Sequence, residues 1–331
     1  MIVDAHHHFW QLAAQEQPWR DNRHGAIARD YTPEDLSVEL TAAGVDRTVL
    51  IQSVDEPAEN DRLLEYARTP YVGAVVGWLP LSDPKAAREE IARVAASARR
   101  ADEAIGSNSP ATRARPVASA GTGGGSVISG ERSEAGGGGS SPLDLPAELQ
   151  GFAGVFSGVR CLVGRDPMEW LGESVGLFRE LASAGIAWDV VPVTAEQTKA
   201  VLQLADAVPE LRIVVDHLGR PPVDSGVWEP WAGQVRELAA CPQVGMKVSL
   251  GIDLLTELNE WPDIGRYLAW VVECFGVRRL MVASNWPVVL LRASYGEAWS
   301  NLRGALEQVL QDGDELAAVL GGTAADYYRI N

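Results

Sequence analysis

The chain has 331 residues, 46% of them hydrophobic, with a net charge of -17 and a pI near 4.7. This length allows one barrel-sized domain or two smaller ones. The negative field repels nucleic acid and anionic membrane surfaces, so we expect neither as a partner. Three cysteines form no CxxC pair, and no apolar run approaches the ~18 residues of a membrane span. We therefore expect a cytoplasmic protein with reduced thiols.

The chain opens on a strand-like run that leads directly into three consecutive histidines, from Ile2 to His8. Side chains alternate between the two faces of a strand, so His6 and His8 point the same way and His7 points the other way. Two imidazoles on one face can reach one metal ion or one substrate oxygen together. A polar strand end or a purification tag is the plain alternative, but the residues around the triplet are strand-like.

Short apolar strands alternate with amphipathic helices along most of the chain. This alternation predicts a parallel sheet closed into a (β/α)8 TIM barrel, formed as a single domain by residues 1–331. An open doubly wound sheet is the alternative, but no GxGxxG opens a helix after a strand. The predicted strands cover residues 2–8, 47–53, 72–78, 158–163, 187–191, 211–217, 244–249 and 279–284, and the predicted helices include 83–101, 168–184, 195–207 and 295–310.

One segment, residues 104–142, interrupts this pattern before the fourth strand. It is rich in Gly, Ser, Pro and Ala, and it cannot bury enough surface to offset the entropy of ordering it. We expect a flexible surface insertion within the barrel. A functional lid is the second interpretation, because lids are drawn from such segments.

Active sites of such barrels lie where the strands end. The planar guanidinium of Arg160 would suit a substrate carboxylate or a lactone carbonyl, and tryptophans could wall an apolar pocket. The plain alternatives are ion pairing for Arg160 and Lys247, a strand cap for His217, and packing for the tryptophans. The strand-end candidates are His6, His8, Gln52, Trp78, Arg160, His217, Lys247, Asn285 and Trp286, with Trp10 just beyond the first strand.

Four runs in barrel order resemble the amidohydrolase superfamily, and within it the family 2 branch of sugar lactonases and 2-pyrone-4,6-dicarboxylate lactonases. They are Asp4-Ala-His-His-His-Phe-Trp10, Asp216-His-Leu-Gly-Arg-Pro-Pro222, Lys247-Val-Ser249 and Ser284-Asn-Trp-Pro287, and the closing Leu320–Tyr328 run is also similar. The resemblance implies a hydrolase that opens a lactone, or a related small cyclic ester or amide, with activated water. It implies catalytic roles for Asn285, His6, His8 and His217. Substrate binding by Arg160, Lys247, Gln52, Trp78, Trp286 and Trp10 is predicted from their positions at or near the strand ends and from their chemistry.

The sequence departs from this family at two positions. An ordinary member carries at position 285 an aspartate that acts as general base and can bind metal. Asn285 accepts no proton at neutral pH and is a poor ligand for a divalent cation. Cys161 stands where many relatives have histidine. The resemblance therefore leaves two possibilities. Either His6, His8 and His217 hold one divalent metal, with zinc as the first candidate, or the protein holds no metal.

Several alternatives stay open at this point. Asn285 either belongs to the natural sequence or is an Asp-to-Asn exchange that weakens turnover and traps substrate. A metal-dependent decarboxylase on the same scaffold and a catalytically silent ligand-binding relative are the rival functions. The substrate is expected to be a small, oxygen-rich or carboxylated molecule, and the protein a monomer or homodimer.

Overall fold

The computed structural model describes residues 1–107 and 145–331 and forms the predicted (β/α)8 barrel. Each strand pairs in parallel with the next one along the chain. The strands are β1 (Val3–His7), β2 (Arg47–Ile51), β3 (Val72–Trp78), β4 (Gly158–Arg160), β5 (Ala187–Val190), β6 (Ile213–Val215), β7 (Val244–Val248) and β8 (Leu280–Val282). Residues 108–142 of the predicted insertion lie outside the described ranges.

Helices connect the strands and cover the outside of the barrel. They are α1 (Pro33–Ala43), α2 (Pro57–Tyr66), α3 (Pro84–Ser107), α4 (Ala147–Ala153), α5 (Leu171–Ser183), α6 (Ala195–Ala207), α7 (Trp231–Ala239), α8 (Ile252–Glu257), α9 (Gly265–Phe275), α10 (Tyr295–Val309), α11 (Gly313–Ala317) and α12 (Thr323–Tyr328). Within the described ranges, no helix is long and apolar enough to cross a membrane.

Local sequence signals fix several helix ends. Thr194 caps α6 by accepting a hydrogen bond from the Gln197 amide at 3.2 Å, and the Gln197 side chain accepts from the Thr194 amide in return. Ser294 and Glu297 form the same reciprocal pair at the start of α10. These capping boxes satisfy amides that have no partner within the helix. The caps explain why the predicted starts at residues 195 and 295 agree with the structure.

Seven of the eight strands are shorter than predicted because the chain leaves the sheet to build loops, whereas β3 has the predicted bounds. The sixth strand was expected over residues 211–217, but β6 ends at Val215. His217 has φ +57 and Leu218 has φ +53, a left-handed conformation that cannot continue a strand. Helix α3 errs in the other direction, since it extends to Ser107 rather than ending near residue 101.

A buried aspartate closes the barrel between its first and last strands. Asp4 accepts hydrogen bonds from the Ser284 amide at 2.8 Å, the Ser284 hydroxyl at 2.6 Å and the Tyr295 hydroxyl at 3.2 Å. Beyond β8, the Asn285 amide donates to the His6 carbonyl at 2.9 Å. The Asp4 carboxylate thus satisfies donors that the short strand β8 leaves without a ladder partner.

The C-terminal segment fills one end of the barrel. Tyr328 and Ile330 pack with alternate residues of the strands, including Ala187 and Val214, in a small cluster separate from the larger core between strands and helices. A Cβ atom at Gly245 of β7 would lie 2.9 Å from the Tyr327 ring, so only glycine leaves room for this segment. The Tyr328 hydroxyl donates to Asp189 of β5 at 2.7 Å and so connects this segment to a buried charged group inside the barrel.

We predict that Asp4→Ala destabilises the protein strongly. The substitution leaves buried donors on Ser284 and Tyr295 without an acceptor, at about 1–3 kcal/mol for each unsatisfied group. The free energy of unfolding, measured in urea, should fall by about 3 kcal/mol or more. Asp224→Ala, at an exposed position, is the control and should change it by about 0.5 kcal/mol or less. Equal effects of the two substitutions would show that Asp4 does not hold the barrel closed.

Candidate active site

A cavity of about 420 Å³ opens at the carboxyl ends of the strands. This is the end at which barrel enzymes bind their substrates. Its wall combines an apolar part with a cluster of charged and hydrogen-bonding groups. The apolar part comprises Trp19, Leu162, Val163, Val191, Val193, Ile252 and Val288, and the polar part includes His8, Ser53, Arg160, Cys161, Arg165, His217, Arg220, Asp253, Glu257 and Asn285.

His6 of β1 and His8, which directly follows β1, meet at the base of this cavity. His6 Nε2 lies 3.1 Å from His8 Nε2, so the two rings share one face, as strand alternation predicts. His8 Nδ1 lies 2.9 Å from the Ile51 carbonyl oxygen. Because a carbonyl only accepts, His8 carries its proton on Nδ1 and its lone pair on Nε2. His7 points away and binds Thr48 Oγ1 at 2.8 Å.

Beneath the histidines lies a buried layer of paired charges. Lys247 Nζ contacts Asp189 Oδ2 at 2.5 Å, Asp216 Oδ1 at 3.0 Å and His6 Nδ1 at 3.2 Å. Arg160 Nη1 donates to Asp216 Oδ2 at 3.0 Å and lies 3.3 Å from His6 Nε2. Two cations and two carboxylates therefore balance in a site from which water is excluded, and each is costly to bury without its partners.

Burial keeps the site histidines neutral at physiological pH. Desolvation lowers the pKa of His6 and of His8 well below the usual range, and it lowers the pKa of His217 to about 4. The cationic neighbours act in the same direction: Lys247 for His6, and Arg160 for His8 and His217. Neutral imidazoles offer lone pairs, either to a metal or to a proton.

The two carboxylates of the layer respond differently to burial. Desolvation would raise the pKa of Asp216, but the neighbouring cations Lys247 and Arg160 hold that pKa well below its usual range. Asp189 has fewer cationic neighbours, and burial raises its pKa despite the contact with Lys247. Asp216 is therefore the firmly ionised member of the pair.

His217 and Asn285 enter the cavity from strained backbone positions. Their φ angles are +57° and +59°, a region that side chains other than glycine seldom adopt and that often marks functional sites. His217 Nδ1 contacts Ser249 Oγ at 2.8 Å. Asn285 Nδ2 donates to the Leu250 carbonyl at 2.8 Å, and within the described residues the buried Asn285 Oδ1 has no partner.

The structure thus brings together six of the predicted site residues. His8, Arg160, His217 and Asn285 line the cavity, and His6 and Lys247 lie directly behind them. Their catalytic and binding roles stay predictions.

The other predicted residues lie away from the cavity wall. Gln52 is buried and donates to Asp55 at 3.2 Å, while Asp55 in turn accepts from the Leu162 amide. Trp78 ends β3, where its backbone is bound by the Asn60 side chain. Trp10 and Trp286 both pack against Tyr31, with ring centroids 5.4 and 5.2 Å from it.

Sequence reasoning did not assign site roles to Asp189, Asp216 or Trp19. Asp189 interrupts the apolar fifth strand, and an acidic residue inside a buried parallel strand is a signal of a paired charge. Trp19 lines the cavity, and its indole donates to the Ser53 carbonyl at 2.8 Å. It comes from the loop after β1, so no strand-end rule could have selected it.

The site histidines can bind a divalent metal only if His6 adopts one of its two neutral tautomers. Two imidazoles bound to one tetrahedral zinc, with Zn–N of about 2.0–2.1 Å, place their nitrogens about 3.3 Å apart, close to the 3.1 Å between His6 Nε2 and His8 Nε2. Ligand atoms of His6, Asp216 and His217 also lie within 4.8 Å of one another. Zinc would, however, need a lone pair on His6 Nε2, and therefore a proton on His6 Nδ1.

Comparison with known proteins identifies the family. The amidohydrolase family model matches residues 3–330, and the chain belongs to this family. It is 31% identical to an L-fucono-1,5-lactonase of Burkholderia ambifaria over 99% of this chain and 96% of that protein. It is 27% identical, over the same shares, to an L-fucono-1,5-lactonase of Burkholderia multivorans. A crystal structure of a Burkholderia multivorans amidohydrolase with bound zinc is 26% identical, covers all of both chains and gives a TM-score of 0.71.

The low pKa of His217 leads to a prediction about acid stability. Its pKa is about 4 in the folded protein against 6.5 normally, so its contribution is complete above pH 6.5 and is lost as the pH falls toward 4. The variant His217→Asn has no imidazole at this position, so it lacks this loss of stability on acidification. Between pH 7 and pH 4.5 the free energy of unfolding should fall by about 2 kcal/mol less in this variant than in the parent chain. Parallel pH dependences would contradict a buried neutral His217.

Proposed function

We propose that this protein is a lactonase that adds water to the ring carbonyl of a small lactone and releases the open hydroxy acid. One observation supports this proposal most directly. The cavity wall places the neutral imidazole of His217 beside the cationic Arg160. Within the described residues, the contacts of His217 use Nδ1 alone, which leaves Nε2 free for a ligand or water. The two related L-fucono-1,5-lactonases support the same reaction.

In the proposed reaction, His217 Nε2 takes a proton from water as the water oxygen attacks the carbonyl carbon. Arg160 stabilises the negative charge that develops on the carbonyl oxygen. Among the described residues, the hydrogen bonds of its guanidinium all use Nη1, which leaves Nε and Nη2 for the substrate. When the tetrahedral intermediate collapses, the ring C–O bond breaks and the leaving oxygen takes the proton back from His217. The reaction consumes one water and yields one hydroxy acid.

Asn285 serves in this proposal as an oriented hydrogen-bond acceptor. Its amide nitrogen is committed to the Leu250 carbonyl, so the amide cannot turn over without losing that bond. The free Oδ1 can accept from the attacking water or from a substrate hydroxyl. This role needs no proton transfer at position 285. It accounts for an amide where the family resemblance implies a carboxylate.

The charges of the cavity favour a neutral, polyhydroxylated lactone over a carboxylated one. Arg160 is paired with Asp216, and Arg220 at the rim is paired with Asp253, whereas the exposed Arg165 has no ion pair within the described residues. At Arg160 and Arg220 a substrate carboxylate would have to compete with these partners, within a chain of net charge -17. The apolar wall suits the carbon face or a methyl substituent of a sugar lactone.

Turnover of a lactone panel tests the proposed activity. The panel contains neutral five- and six-membered aldonolactones and a carboxylated pyrone, with the products identified by NMR. We expect the hydroxy acid from neutral lactones, and His217→Asn should lower kcat/KM by about 10²–10⁴-fold because general-base catalysis is lost. His24→Asn is the matched control, since His24 does not line the cavity, and it should keep near-parental activity.

Three results of the panel would contradict the proposal. Release of carbon dioxide would identify a decarboxylase. Ligand that stays intact while it raises the melting temperature would identify a silent binding protein. Equal losses in the two histidine variants would remove His217 as the base.

The variant Asn285→Asp tests whether residue 285 acts as an oriented hydrogen-bond acceptor or occupies the position of the general base. The new carboxylate would face the Leu250 carbonyl oxygen, which lies 2.8 Å from the present amide nitrogen. That repulsion favours the protonated acid, which is no base. We therefore expect no gain in lactone hydrolysis at pH 7. A gain of about 10²–10⁴-fold would instead show that position 285 is the general-base position, as the family resemblance implies.

A further inference from the structure

The position of the proton on His6 follows from the number of donors and acceptors around Lys247. A lysine ammonium has three N–H donors and no acceptor. Lys247 Nζ donates to Asp189 Oδ2 at 2.5 Å and to His6 Nδ1 at 3.2 Å. It also forms an ion pair with Asp216 Oδ1 at 3.0 Å, an oxygen that has no hydrogen-bond partner within the described residues. Because the ammonium can only donate, the bond to His6 requires a lone pair on His6 Nδ1. The neutral ring then carries its proton on Nε2 and donates it to the bare His8 Nε2 at 3.1 Å.

The other tautomer of His6 fits its surroundings less well. A proton on Nδ1 would point to Asp216 at 3.4 Å and leave Nε2 to accept from Arg160 at 3.3 Å. Both contacts are longer than the two that they replace. In that tautomer an N–H of Lys247 would also point at the proton on His6 Nδ1. The lone pairs of His6 Nε2 and His8 Nε2 would face each other as well. It is nevertheless the tautomer that zinc needs, because an ion between the two Nε2 atoms would bind both lone pairs.

We propose that Lys247 is a positioning residue that fixes the His6 tautomer and thereby opposes metal binding by His6 and His8. The ammonium keeps the His6 lone pair on the side facing away from His8. A metal must first move the His6 proton to Nδ1, against the charge of Lys247. The guanidinium of Arg160 opposes the metal in a different way, because its positive charge lies 3.3 Å from the same His6 Nε2 and would repel a cation bound there. The inference needs no particular substrate and is independent of the proposed lactonase activity.

The first test reads the tautomers in the unaltered chain. With ¹⁵N-labelled histidine, long-range ¹H–¹⁵N correlation distinguishes a protonated Nε2 from a protonated Nδ1. Only five histidines are present, so His6→Gln and His8→Gln suffice to assign the two rings. In zinc-free protein we expect His6 protonated on Nε2 and His8 protonated on Nδ1. A His6 proton on Nδ1 would overturn the proposal.

The second test measures zinc affinity by competition with a chromophoric chelator. Lys247→Met alone would leave Asp189 without its cation, so the charge-matched double variant Asp189→Asn/Lys247→Gln is used. It should bind zinc about 10–100-fold more tightly than the parent chain, the usual size of an effect transmitted through a ligand's hydrogen-bond partner. Lys199→Met, at an exposed site, should leave the affinity unchanged. Equal zinc affinity in the double variant and the parent chain would overturn the proposal, and if the double variant does not fold, the tautomer measurement decides.

Discussion

The buried ammonium of Lys247 is the interaction on which the arrangement of the site depends. It joins β7 to Asp189 of β5, to Asp216 after β6 and to His6 of β1. Each of these groups would be costly to bury without partners. With Arg160 of β4, which is paired with Asp216, they form a neutral layer inside the barrel. The layer holds side chains from five strands or strand ends at once, so the histidines have little freedom to reorient.

The cavity above this layer combines a cationic hydrogen-bond donor, Arg160, with an available lone pair on His217. Arg160 belongs to the layer through Asp216, and it also lines the cavity. His217 is kept neutral by burial and is oriented by Ser249. Hydrolysis of a cyclic ester needs a proton acceptor for the water and a donor for the carbonyl oxygen.

Two strained residues connect the fold to the chemistry. His217 and Asn285 both follow short strands and both have positive φ angles. Those angles turn the side chains from the sheet into the cavity. Strain of this kind persists where surrounding contacts hold it, and here the contacts are the bond from Asn285 to Leu250 and the bond between Asn285 and His6 that continues the barrel closure.

The sequence by itself determined the architecture and part of the site. The alternation of apolar strands and amphipathic helices predicted the barrel, because each element must bury one face. The period of two along a strand placed His6 and His8 on one side. Position at strand ends selected Arg160, His217 and Asn285 for the cavity wall, since parallel strands end at one edge.

Only the tertiary structure decided which of these groups meet and in which state. Lys247 and Asp189 are 58 residues apart, and no local pattern reports a contact between strands. Trp78 and Trp286 satisfied the same strand-end criterion as Arg160, yet neither they nor Trp10 line the cavity. Trp10 and Trp286 pack against Tyr31 instead, and the backbone of Trp78 is bound by Asn60. The neutral histidines and the tautomer of His6 depend on burial and on the direction of neighbouring donors. These quantities exist only once the strands are assembled around one another.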